Sequence, residues 1–95
     1  MLVELKKLKI VNEGYKRVVS LDKIYVNVDH IISVTDYSGA NDFLLSEGSP
    51  EYANRSYSLI KINTGQSSQD VIVLGTSEHI YSQLATNKGK LLLNE

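Results

Sequence analysis

His30 and His79 are the only imidazoles in the chain, and there is no cysteine. A zinc or related metal site draws three or four ligands from His, Cys, Asp and Glu, often two of them one helical turn apart. The two histidines fall in different elements, and no H-x-x-x-H spacing occurs. Asp29-His30 reads as turn chemistry, since Asp is a common turn former. Ser77, His79 and Asp70 supply the residue types of a Ser–His–Asp triad, but no serine sits in G-x-S-x-G or S-x-x-K. Gly75-Thr76-Ser77 precedes a helical pattern, where free backbone N–H groups suit an anion or, more commonly, an N-cap side chain. Glu47 and Glu51 lie in turn-rich text and give no paired-carboxylate geometry. Asn54-Arg55-Ser56 fits the N-glycosylation pattern, but the lysines of MLVELKKLKIV interrupt its apolar residues instead of preceding them as in a signal peptide, so coincidence is the expectation. The expectation is a protein that is not an enzyme, with no catalytic residue, metal or cofactor.

Two other groups of residues suit binding. Tyr37, Phe43, Leu44, Leu45 and Tyr52 place aromatic and aliphatic side chains in a turn-rich stretch at 38–56. Such residues on a loop are the usual anchors of a protein interface. Lys6, Lys7, Lys16, Arg17, Lys23 and Tyr25 interleave bases with an aromatic ring, as a stacking platform for single-stranded nucleic acid would. The chain as a whole carries a net charge of −1, against the basic excess of a strong nucleic-acid binder. Charge is uneven along it. Residues 1–25 hold six basic and three acidic side chains, and the remainder four basic and eight acidic. That polarity suits head-to-tail association or an anionic partner. Lysines that guard a strand edge are the plainer explanation.

The elements that must position these residues are mostly strands. Val3 and Leu5 share one phase of alternation, and Leu8 and Ile10 the other, which predicts a strand with a β-bulge at Lys6-Lys7. Asn12-Glu13-Gly14 turns the chain, with Gly14 supplying a positive φ, and Arg17 to Leu21 returns. Lys23–Asn27 and Ile31–Tyr37 read as strands on either side of a bend at Val28-Asp29-His30. Residues 38–56 form a long loop insertion, of the kind that is functional or disordered. Ser56–Asn63 and Val71–Leu74 pair about a loop at Gly65–Gln69. A helix follows over 77–86, with Ile80 and Leu84 as an apolar stripe beside Tyr81 and Ala85. Asn87-Lys88-Gly89 is expected to stop it. The tail 87–95 carries Leu91-Leu92-Leu93, too apolar for water, and is expected to add an edge strand or dock on a partner.

Ninety-five residues make a single domain, 1–95, near the lower end of independent folding. Such a domain gains core by pairing, so a homo-oligomer is expected. No apolar run reaches the roughly 18–20 residues of a membrane span, and the absence of cysteine fits a reducing compartment. A cytoplasmic protein with no membrane partner is the expectation.

Lys23-Ile24-Tyr25-Val26-Asn27, Asp29-His30-Ile31-Ile32-Ser33-Val34, Leu59-Ile60-Lys61-Ile62-Asn63-Thr64-Gly65 and the stretch from Val73 to Leu84 resemble the FlbD-like family of small flagellar and swarming-motility proteins. Leu2-Val3-Glu4-Leu5 is similar to that family's opening strand. Segments 12–22 and 38–56 are extra relative to its pattern. The resemblance implies a compact, strand-rich fold that acts by contact with other proteins.

Together these readings predict an α+β domain, mostly β. Its core is a bent antiparallel sheet or small open barrel of five to six strands with one C-terminal helix. The expected role is a non-enzymatic interaction or structural accessory protein of a bacterium or phage, binding itself and another protein. The alternative is a small nucleic-acid-binding module.

Overall fold

One long hairpin sets the frame. In the computed structural model, β1 (Leu2–Glu13) and β2 (Lys16–Asn27) pair antiparallel without interruption, from Leu2 opposite Asn27 to Glu13 opposite Lys16. Gly14 has φ 60° and no non-glycine residue described has a positive φ. Gly14-Tyr15 is therefore a two-residue turn with the glycine at its first central position, the type that matches strand twist. The structure describes the backbone of residues 1–40, 44, 50–53 and 55–93, with the side chains of these except 50, 51 and 87–93.

A three-residue helical turn at Val28–His30 leads into β3 (Ile31–Asp36). Asn27 Oδ1 accepts from Asp29 N at 3.0 Å and holds this bend. The short helix α1 (Pro50–Ala53) precedes β4 (Tyr57–Asn63), β5 (Ser68–Leu74) and the closing helix α2 (Ser77–Leu93). The five strands form one open antiparallel sheet in the order β2-β1-β5-β4-β3. The domain is thus α+β and mostly β, as the alternation of apolar residues leads one to expect.

The sheet is covered on opposite faces in two different places. On the α2 side, Val3, Leu5, Val26, Ile60, Val71 and Val73 pack with Ile80 and Leu84. On the far side, Leu8, Val19 and Tyr57 pack with Ala40, Leu44 and Ala53. This explains the change of phase along β1. No bulge interrupts Lys6-Lys7. Val3 and Leu5 point to one cover and Leu8 to the other, because side chains alternate along an unbroken strand. The irregularity lies elsewhere. β3 carries one extra residue between Ile31 and Ser33 against β4.

Two further expectations change. Arg17–Leu21 and Lys23–Asn27 belong to a single strand. The helix runs through Asn87-Lys88-Gly89 to Leu93, so 91–93 is helical backbone and not an added strand. A lone glycine costs a helix only about 1 kcal/mol relative to Ala, which the flanking Lys and Leu residues tolerate. Within 38–56, Gly39, Ala40, Leu44 and residues 50–53 are helical, and Ala40, Leu44 and Ala53 lie in the core. The described part of that segment is a cover for the sheet rather than an open loop.

No described helix is long and apolar enough to cross a membrane.

Candidate protein-docking groove

β3 stands at one end of the sheet, and among the described residues it pairs only with β4. Its outer side offers unpaired backbone N–H and C=O groups, the template that another strand can extend. No Lys, Arg or Pro interrupts Ile31–Asp36. α2 lies over the sheet beside this strand, fixed by Ile80 and Leu84, whose side chains are buried in the core. Between the two runs an open groove of about 690 Å³. Buried Val28 and Leu84 form its floor, and half-buried Ile31 and Val34 extend it along the strand. Ile32 and Tyr81 form its rims and are 57% and 68% exposed. The extra residue in β3 accounts for Ile32. Of two successive isoleucines on a strand only one can face the core, and the shift in pairing leaves the second in solvent.

A clamp between strand and helix lies beside the groove, at Ser77 of its lining. Asp36 Oδ1 accepts a hydrogen bond from Ser77 N at 2.8 Å. Thr76 Oγ1 accepts from His79 N at 3.1 Å, so Thr76 is the N-cap and Asp36 satisfies a second orphan N–H. Gly75, at φ 122°, makes the strand-to-helix corner, and its carbonyl accepts from the buried Ser58 hydroxyl at 2.7 Å. The anion-binding potential of Gly75-Thr76-Ser77 is thus met internally by a carboxylate.

The hydrogen bond from the Ser77 backbone, with a second from its side chain, holds the Asp36 carboxyl below its ordinary 3.8. A carboxylate with a folded-state pKa below the unfolded value contributes stability above the unfolded pKa and loses it as pH falls through the folded one. Asp36→Asn is therefore expected to lower the melting temperature at pH 7, with the gap from wild type closing as pH drops below about 3.8. Thermal melts of both proteins across pH 2–7 check this, and a gap that stays constant with pH contradicts the clamp.

The basic residues singled out from the sequence do not share a face. By alternation and pairing, Lys6, Arg17, Lys23 and Tyr25 lie on the far side of the hairpin, while Lys7 and Lys16 lie on the α2 side. Lys6 and Lys23 are direct cross-strand partners. Lys23 Nζ lies 3.0 Å from Glu4, and Lys9 Nζ lies 3.6 Å from Asp22, so acidic neighbours dilute the positive field.

The aromatic and aliphatic set divides as well. Leu44 has no exposed surface, because it plugs the far-side core between the hairpin and Tyr57. Buried there, it is a core residue rather than the partner contact expected from its sequence neighbourhood. Tyr52 is half-buried. Its carbonyl accepts from the Tyr57 hydroxyl at 2.6 Å, and the Arg55 guanidinium sits 5.8 Å from its ring centre. Burial pushes the Tyr57 phenol above its ordinary value. Tyr37 remains at the surface. Phe43 and Leu45 lie outside the described residues, as do Glu47 and Asn54.

Asp70 sits opposite Lys61, four positions before Leu74 on β5, which puts it about 13 Å of strand away from the α2 end. It does not meet Ser77 and His79. Among the described residues no three His, Asp or Glu side chains gather as a metal site.

The groove itself escaped the sequence reading, although Ile31-Ile32 and the Tyr81–Ala85 flank of the helix were its visible traces.

Comparison with protein families, with characterised proteins and with solved structures finds no match to this chain.

Proposed function

We propose that this protein is a non-enzymatic interaction module that takes up an extended segment of another polypeptide along β3, beneath the flank of α2. The observation that carries this reading is the coincidence of an unpaired strand edge with an apolar groove beside it. Strand addition at such an edge supplies main-chain hydrogen bonds, and alternate side chains of the guest enter the groove. Ile32 and Tyr81, exposed on its two rims, are the anchors. A cytoplasmic accessory factor of a bacterium or phage fits this reading, as does the FlbD-like resemblance of β2, β3 and β4.

Selection of random peptides on the immobilised protein tests it. The expected products carry a short alternating apolar segment, and Ile32→Lys, at a solvent-exposed position, abolishes their capture without unfolding the domain. Peptides that bind the Ile32→Lys variant equally well contradict the assignment.

Nucleic-acid binding through the hairpin is the weaker reading, because its six residues divide between the two faces.

A further inference from the structure

The far end of the first hairpin has no cover. Every residue from Lys9 to Val18 is exposed, and β1 meets β5 at a single register position, Lys7 opposite Val73. Beyond that point the two strands run on as an arm of about six residue pairs, roughly 20 Å, in a molecule 53 Å long. Two strands alone are marginally stable in water, and further strands are what steady such a ribbon. Among the described residues β2 pairs only with β1, so its outer edge is open.

The hydrogen-bond phase of that edge is fixed by the pairing on its inner side. Val28 N donates to Met1 O at 3.0 Å, in step with Leu2 opposite Asn27. Bonded and non-bonded pairs alternate along an antiparallel ladder. The even-numbered residues of β2 therefore turn their N–H and C=O groups toward β1. Arg17, Val19, Leu21, Lys23 and Tyr25 turn theirs outward. A further antiparallel strand must set its own outward-bonding residues opposite these.

Lysine on an open edge ordinarily discourages pairing. Here the same strand carries the opposite charge six residues on, at Asp22, and Lys16 and Asp22 lie on one side of the sheet. Two copies of β2 about a two-fold axis at Val19 bond through Val19 to Val19 and through Arg17 to Leu21. Lys16 of each copy then stands opposite Asp22 of the other, in the non-bonded position where side chains come closest. The Asp22 carboxylate already has Lys9 at 3.6 Å and still has lone pairs to offer. Other axes that keep the phase do worse. One at Ser20 sets Arg17 against Lys23, and one at Asp22 or Lys23 sets that charge against itself. Axes at Val18, Leu21 or Ile24 bring no charges opposite one another.

We infer that β2 pairs antiparallel with β2 of a second copy, about a two-fold axis at Val19. The four strands of the two arms then make one ribbon, with the two bodies at its opposite ends. The contact is isologous and closes at two copies, because each edge is used up by the other. Complementary charge fixes its register. It lies at the opposite end of the sheet from β3, so it leaves the groove open and is independent of the docking reading.

Sedimentation of the intact protein over a concentration series is expected to show a monomer–dimer equilibrium. Lys16→Glu sets like charges against Asp22 of the second copy, and Asp22→Lys sets like charges against Lys16. Each variant alone is expected to associate at least about tenfold more weakly than wild type. An equal mixture of the two variants is expected to recover association as a one-to-one complex, because both facing pairs are then of opposite sign. Each variant carries its own intrachain defect into the mixture, so recovery reports the contact between copies and not the folding of the arm. Ile32→Lys, at the other edge, is expected to associate like wild type. A wild type that stays monomeric to about 1 mM overturns the inference. So does a mixture no stronger than either variant alone while the wild type associates. Loss of association in Ile32→Lys would move the contact to β3 and overturn it as well.

Discussion

Leu44→Ala is expected to destabilise the domain by about 2–5 kcal/mol, the range for truncating a fully buried leucine. Leu44 has no exposed surface and packs with Leu8, Val19, Ala40, Ala53 and Tyr57. A domain of this size has a total stability on the order of 5–15 kcal/mol, so the loss is a large share of it. The reason lies in where the segment sits. The far face of the sheet presents Leu8, Val19 and Ile72, and Ala40, Leu44 and Ala53 pack against them and keep water away. Removing residues 40–54 is expected to do more damage still, giving a chain that no longer melts cooperatively. Urea unfolding of Leu44→Ala and a thermal scan of the deletion check both. If the deletion melts like wild type, the segment is a dispensable loop and the two-faced core is mistaken.

Ile80→Ala is expected to cost a similar amount, about 2–5 kcal/mol, by opening a cavity on the other face. Ile80 is fully buried among Val3, Leu5, Ile60 and Val73, and it is the first side chain by which α2 grips the sheet. Its Cγ1 also lies 3.5 Å from where a Cβ on Gly75 would stand, so the strand-to-helix corner closes directly on it. Isolated short helices are marginal in water, so α2 depends on this packing. Loss of about 1 kcal/mol moves the melting temperature of a domain this size by about 4–8 °C, so a fall of roughly 8–40 °C is expected. The groove should suffer with the helix, because Tyr81 and Leu84 leave β3 when α2 loosens. Ile80→Val, which removes one methyl group, is expected to cost only about 0.5–1.5 kcal/mol and to retain peptide capture. A mild effect of Ile80→Ala would mean that α2 is not held by this residue.

These two residues also show what the sequence could and could not reveal. Ile80 was legible, because its spacing from Leu84 is a local signal of one helical face. The β4–β5 pair was legible too, from alternation on both sides of a turn at Gly65, which has φ 98°. Gly14 marked its own turn for the same reason. Leu44 was not legible. A leucine among Ser, Asp, Gly and Pro looks like a loop residue until the far face of the sheet is known to need a cover. The break of phase between Leu5 and Leu8 was seen but has a non-local cause. A bulge explains it from one strand alone, whereas two covers on opposite faces explain it only once the whole sheet is assembled. The end of α2 was misplaced because Asn and Gly weaken a helix without ending it. The candidate groove needs two elements distant in sequence to lie side by side. Ile31-Ile32 and Tyr81 each carried half of the signal.

The most direct test of strand addition at the groove is amide hydrogen exchange of residues 31–36, followed with and without a saturating selected peptide. Addition of a guest strand predicts that β3 amides on the open edge become protected on binding, while those of β2 do not change. Peptide binding that leaves every β3 amide exchanging at its free rate would contradict it.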